Sequence, residues 1–175
     1  EDGMPVAVLD ALDASAQVWF QTPPMPTARS ACGVAGLSGN VFVIGGVDDG
    51  WRCRSSAERY DIARNSWCTL PEMPTPRNEC AAAAACGKVF VAGGITDWAL
   101  QDVVECYDPC TDAWDTVSPL TKARRNFSMV AAAETLFVFG GVTHGGRCTA
   151  SSESFDIGHG IWKLRAPMPE PRFNC

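Results

Sequence analysis

The chain predicts an all-β fold of repeated four-stranded antiparallel sheets, and three sets of residues on one shared period carry that prediction. A Gly-Gly pair closes a short apolar run three times, at Gly45-Gly46, Gly93-Gly94 and Gly140-Gly141, in steps of 48 and 47 residues. A tryptophan keeps the same beat at Trp19, Trp67, Trp114 and Trp162. So does an arginine, at Arg29, Arg77, Arg124 and Arg172, following Met25-Pro26, Met73-Pro74, the diverged Pro119-Leu120 and Met168-Pro169. A repeat of about 50 residues has the length of a β-propeller blade, a small sheet that cannot bury both faces alone and must stack radially on its neighbours.

Each element follows from local pattern. In the first complete unit, Ser30 to Leu37 is predicted as the innermost strand and Val41 to Gly46 as the second. Ser56 to Asp61 is the third and Ser66 to Leu70 the outermost, each bounded by Gly, Pro, Asn or Asp. An acidic-x-aromatic-Asp element marks every third strand: Glu58-Arg59-Tyr60-Asp61, Glu105-Cys106-Tyr107-Asp108 and Glu153-Ser154-Phe155-Asp156, with Leu12-Asp13 a weaker copy. Ala81 to Ala85 would favour helix on propensity alone. Five residues are too few to nucleate one, and the register puts them on an inner strand, where converging blades admit only small side chains. The Gly-Gly pairs fit close backbone approach. The Trp and Tyr positions fit large buried area with one polar tip to satisfy, a structural role.

The units divide the chain into a partial blade (1–27, third and fourth strands), repeats at 28–75, 76–122 and 123–170, and the start of another at 171–175. A ring holds about four to eight blades, so three complete blades with partial ones do not close it. The expectation is part of a six-bladed ring in a longer chain, with self-association of two copies to complete the ring as the alternative.

These landmarks resemble the kelch repeat over roughly residues 6–175. The pattern is most similar to the BTB-kelch ubiquitin-ligase substrate adaptors, through Ser56-Ala57-Glu58-Arg59-Tyr60-Asp61 and Val103-Val104-Glu105-Cys106-Tyr107-Asp108-Pro109. The resemblance implies a kelch-type β-propeller acting as a protein-protein interaction module. It would recruit a client protein or peptide through loops on one face, as substrate receptor of a cullin-type ubiquitin ligase reached by a BTB domain outside these residues. A cytoskeletal, actin-associated scaffold is the alternative reading.

In such adaptors the residues just after the repeating Arg and just after Gly-Gly line the partner pocket. Carried over, the first set is Ser30, Asn78, Arg125 and Phe173, followed by Ala31, Glu79, Asn126 and Asn174. Val47, Ile95 and Val142 stand after Gly-Gly, where Tyr or Arg often sits, so the expected contacts move outward along the loops. There the candidates are Asp48, Asp49, Trp51 and Arg52, then Thr96, Asp97 and Trp98, then His144 and Arg147. With Ser30, Asn78, Arg125 and Asn126 these make up the expected partner-binding site. Trp51 and Trp98 lead the set, because tryptophan in a polar loop has no core stripe to join and is enriched at interface hot spots. Arg125 lies outside the repeat pattern and offers a bidentate guanidinium. The repeating arginines read as structural, paired near the central channel.

Composition bounds the rest. A net charge of −6 and a pI near 4.8 argue against nucleic acid, which calls for a basic footprint. No apolar run reaches the ~18 residues of a membrane helix, and a cytoplasmic location is expected. The nine cysteines form no Cys-x-x-Cys pair, and equivalent positions such as Cys32, Cys80 and Cys175 are held apart by the blade spacing. They read mostly as small buried apolar residues in a reducing compartment, with Cys53 and Cys148 the candidates for a reactive thiol. Neither a metal nor a cofactor is expected. A copper enzyme like galactose oxidase would need histidines and free tyrosines, whereas the chain has His144, His159, and two tyrosines already inside the blade motif. No nucleophile has an evident base and orienter, so the chain is read as a non-enzyme.

Overall fold

Short connections between extended runs force antiparallel pairing, and every sheet follows chain order. The computed structural model describes residues 7–13 and 15–174. Expectations for residues 1–6 and 14 of the opening partial blade, and for Cys175, lie outside the described residues. Strands β1 (Asp10–Asp13) and β2 (Val18–Gln21) form a separate hairpin. The first blade is β3 (Gly33–Leu37), β4 (Asn40–Ile44), β5 (Ala57–Asp61) and β6 (Ser66–Thr69). The second runs β7 (Ala81–Ala85), β8 (Lys88–Ala92), a small hairpin of β9 (Ile95–Thr96) and β10 (Ala99–Leu100), then β11 (Val104–Asp108) and β12 (Ala113–Val117). The third runs β13 (Ser128–Ala132), β14 (Thr135–Phe139), β15 (Val142–Thr143), a 3-10 turn (His144–Gly146), β16 (Arg147–Cys148), β17 (Ser152–Asp156) and β18 (Ile161–Arg165). The three blades are four-stranded sheets of order β3-β4-β5-β6, β7-β8-β11-β12 and β13-β14-β17-β18. Among the described residues no helix is long and apolar enough to cross a membrane.

The inner strand starts later than the sequence suggests. It begins at Gly33, because Ala31 takes a left-handed φ of +53° and Ser30 pairs instead with Val47. Glu79, Asn126 and Asn174 repeat this break at φ of +50°, +51° and +52°. At each break the freed N–H finds a carbonyl in the preceding repeat: Glu79 donates to Ala31 at 2.8 Å, Asn126 to Glu79 at 2.9 Å and Asn174 to Asn126 at 3.0 Å. The break therefore links successive blades at their innermost ends.

Between blades the core is apolar and steeply tapered. Ala81, Ala83, Ala85 and Phe90 of the second blade pack against Met129, Leu136 and Val138 of the third. Ala35, Phe42 and Ile44 of the first blade meet Val89, Val91 and Tyr107 of the second. The alanine run is thus a strand, with Ala81, Ala83 and Ala85 buried toward the third blade and Ala82 and Ala84 half-buried toward the first. On the far side of the third blade, Val130 is exposed and Phe137 stacks on Phe139 with centroids 6.4 Å apart.

The tryptophans tie the outer rims. Trp67 Nε1 donates to Pro23 O, Trp114 Nε1 to Pro71 O and Trp162 Nε1 to Ser118 O, each at 2.8 Å and each into the preceding repeat. Trp19, at the head of the series, is 68% exposed. Tyr60 and Tyr107 donate their hydroxyls to Asn65 and Asp112 at 2.6 Å. In the third blade both partners change together, to Phe155 and Gly160, so no hydroxyl is left unpaired.

Arg29, Arg77 and Arg124 are fully buried, each against the glutamate of its own blade's third strand. The separations are 3.0 Å to Glu58, 2.7 Å to Glu105 and 2.5 Å to Glu153. Each also donates to the carbonyl of the first glycine of the pair, Gly45, Gly93 or Gly140, at 2.7–2.9 Å. Their partners lie on the second and third strands, so the guanidinium crosses the body of the blade and is not paired at the central channel as the sequence suggested. The reason is charge: a buried guanidinium is tolerable only where a carboxylate and carbonyls surround it. Arg172 lies exposed, 3.8 Å from Glu170.

The main chain of the same arginines closes a circuit of three hydrogen bonds. Gly46 donates to Arg77 O at 2.8 Å, Arg77 to Arg54 O at 3.0 Å, and Arg54 back to Gly46 O at 2.8 Å. Gly94, Arg124 and Gln101 repeat it at 2.8, 3.2 and 3.0 Å, and Gly141, Arg172 and Thr149 at 2.7, 3.4 and 3.0 Å. Each circuit pins both ends of the loop that follows Gly-Gly to the start of the next blade. Glycine is required here: Gly46 sits at φ +96°, and a Cβ would come within 2.6 Å of Ser30 O.

Cysteine burial departs from the sequence reading. Of the eight described cysteines only Cys80 and Cys106 are buried. Cys32, Cys53 and Cys148 are half-buried, Cys68, Cys86 and Cys110 exposed, and all eight are free thiols. Small size alone does not bury them, since Cys86 and Cys110 fall in strand-end turns. Burial pushes the thiols of Cys80 and Cys106 up to about 11. At pH 8, Cys68, Cys86 and Cys110 therefore react promptly with a chromogenic disulfide, while Cys80 and Cys106 react only after denaturant is added.

Replacing Glu105 by Ala strands a buried guanidinium and is expected to cost about 3–5 kcal/mol in urea unfolding. The double change Arg77→Met/Glu105→Leu removes both charges and is expected to recover most of that loss.

Candidate functional site

The loops pinned by these circuits stand side by side on one face, opposite the tight β3–β4 and β5–β6 turns. They enclose a cleft of about 870 Å³ that spans all three blades. Trp51, Arg52 and Cys53 form the first-blade wall. Pro76, Asn78, Glu79 and Ile95 belong to the second blade, with the β9–β10 hairpin rising beside them, and Arg125 with residues 143–146 closes the third-blade side.

The expected site residues take different places. Trp51, Arg52, Asn78, Asp97, Trp98, Arg125 and His144 line this one cleft. Ser30, Asn78 and Arg125 share a main-chain role, bridging to Val47, Ile95 and Val142 respectively. The apolar residue after each Gly-Gly is covered by that bridge, with Val47 and Val142 buried. Asp48 works inside its loop: its Oδ1 accepts from Gly50 N and Arg52 N, each at 2.9 Å, and its Oδ2 pairs with Arg54 at 3.1 Å. The Arg52 N–H and the burial-opposing bonds around it hold the Asp48 carboxyl below its usual range. Thr96 donates its hydroxyl to Pro76 O and fixes the hairpin base. Asn126 donates to Glu79 Oε2 at 2.9 Å. Asp49 and Arg147 are exposed and do not line the cleft; Thr143 donates its hydroxyl to Arg147 O at 3.2 Å across β15–β16.

Two aromatic side chains dominate the rim. Trp51 is 72% exposed and Trp98 is 93% exposed, so neither packs down onto its own blade. Both hold left-handed backbone, at φ +59° and +67°. Trp98 follows Asp97 at φ +46°, so the hairpin turns on two left-handed residues, a position that favours Asn-Gly. A bulky side chain in that conformation costs on the order of 1–2 kcal/mol; at Trp51 the turn is held by its N–H donating to Asp48 O at 3.0 Å.

Glu79 is the charged lining residue that the expected set omitted. Its Oε2 accepts from Arg125 Nη1 at 2.6 Å as well as from Asn126, and so holds the Arg125 guanidinium at the cleft wall. Its place directly after Asn78 in the pocket-lining series was the available signal. Asn78 Oδ1 is buried there without a hydrogen-bond partner.

Comparison with known proteins accords with this architecture. The family model described as the KLHDC2/KLHL20/DRC7 Kelch-repeats domain matches residues 4–141, and the Kelch motif model matches residues 123–169. The chain belongs to the kelch-repeat family. The solved structure titled "Structure of YjhT" is similar with a TM-score of 0.82 at 17% identity, over 95% of this chain and 61% of that one. The kelch chain thus spans about 61% of the length of that structure. No curated protein sequence matches it. At such identity the likeness concerns the kelch fold alone, and the residues of the cleft are this chain's own.

Trp98→Gly is expected to relieve the left-handed turn and raise stability by up to about 1 kcal/mol in thermal unfolding. A side chain that served the fold would instead lower it.

Proposed function

We propose that this kelch module recruits a client protein through the three-blade cleft, with Trp51 and Trp98 as the principal contacts. The observation that carries the reading is the exposure of two tryptophans, both in left-handed backbone, on the rim of one cleft. Aromatic anchors of this kind supply most of the energy at protein interfaces, where a few residues each contribute about 2 kcal/mol or more. Rigid strands presenting variable loops suit recognition, and kelch propellers are in general interaction modules.

The resemblance to BTB-kelch adaptors supports a finer reading, in which the client is delivered to a cullin-type ubiquitin ligase through a BTB domain. Here the propeller would select the client while the ligase contact lies elsewhere. Positioning, with no bond made or broken by the propeller, is all that this role asks of the chain.

Affinity capture from cell extract with the wild-type module and with Trp51→Ala/Trp98→Ala tests it. A client set lost from the double variant, and kept by Ile62→Ala on the opposite face, is the expected outcome. Identical capture by all three proteins moves the binding surface elsewhere, and actin filaments among the proteins retained would favour a cytoskeletal scaffold.

A further inference from the structure

The charges around the cleft divide by blade, and this division narrows the chemistry of the occupant. Glu79 and Arg125 neutralise one another at 2.6 Å. Arg52 on the first-blade loop and Asp97 at the second-blade hairpin tip are exposed, and neither has an ion-pair partner among the described residues. Asp49, the acid nearest Arg52 in sequence, is exposed and lies outside the cleft lining, and Asp48 commits its Oδ2 to Arg54 and its Oδ1 to main-chain N–H groups. Each charge without an ion pair therefore adjoins an exposed indole, Arg52 beside Trp51 and Asp97 beside Trp98. A ligand of one sign would set a like charge against one end of this pair, which interfaces strongly disfavour.

We propose that the cleft takes an extended peptide segment whose apolar or aromatic anchor is flanked by an acidic residue on the Arg52 side and a basic residue on the Asp97 side. The acid receives a bidentate guanidinium from Arg52. The base pairs with Asp97 and lies over the Trp98 ring, whose face attracts cations. The anchor sits between the tryptophans. The two charges fix the direction in which the peptide lies, which a purely apolar cleft would leave open.

The proposal rests on the recruitment reading, and the test separates the two. A displayed library of random linear peptides is selected on the wild-type module, and enriched peptides are synthesised and titrated against variants. Expected peptides carry an acid and a base on a fixed order about an apolar residue. Their affinity falls roughly tenfold with Arg52→Glu and with Asp97→Lys, and returns when the matching peptide charge is reversed. Peptides of a single sign, or affinity unchanged in both charge reversals, overturn the charge assignment, and if Trp51→Ala/Trp98→Ala still abolishes binding the recruitment reading stands. Peptides that bind this double variant as tightly as the wild type overturn both. A selection that enriches nothing overturns the linear-peptide occupant while leaving a folded client in place.

Discussion

Three main-chain hydrogen bonds closed into a circuit hold each loop to the blade that follows it. The second glycine of a pair donates to the repeating arginine, that arginine to the residue where the loop returns, and that residue back to the glycine. All three groups are spent within the circuit, so a loop of six or seven residues is pinned at both ends while its tip stays free. Because the circuit spans two blades, it also sets the angle at which one loop faces the next. The cleft is the space left between three loops so arranged.

The arginine joins this circuit to the body of its own blade. Its main chain belongs to the preceding loop, while its guanidinium reaches the first glycine carbonyl and the third-strand glutamate. One residue thereby couples loop position to strand packing. The completeness of the pair varies: Glu105 also accepts from Thr75, and Glu153 from Thr121 N. In the first blade Glu58 Oε2 and Arg29 Nε have no partner. The trade between Tyr60–Asn65, Tyr107–Asp112 and the apolar Phe155–Gly160 follows the same logic, since a buried polar tip is kept only where its partner is kept.

Side chains that repeat were legible in the sequence, because each answers a demand that only one residue type meets. Glycine is needed where the backbone approaches within contact distance, arginine and glutamate where a charge is buried, and tryptophan where one blade must reach the rim of another. The third member of the circuit was not legible: Arg54, Gln101 and Thr149 share a main-chain duty and no side chain. The early start assigned to the inner strand failed for a related reason. Ala31, Glu79, Asn126 and Asn174 all adopt left-handed backbone with no common residue type, because the hydrogen bond to the neighbouring blade compensates the strain. At the cleft, Trp51 and Trp98 stood out as aromatics without a stripe, but that they share one space depends on blade curvature, which no local pattern encodes. Asp48 shows the converse, an acid that looks available for a partner and is consumed by its own loop.

The circuit is the central claim, and residue-resolved amide exchange on Gln101→Ala and Gln101→Pro tests it most directly. If only the main chain of Gln101 matters, the alanine variant keeps the amides of Gly94 and Arg124 in the slowest-exchanging class. The proline variant, lacking the donor to Gly94 O, should release those two amides and the β9–β10 hairpin while β7 and β8 stay protected. Unchanged protection of Gly94 and Arg124 in the proline variant, or their loss in the alanine variant, would contradict the account.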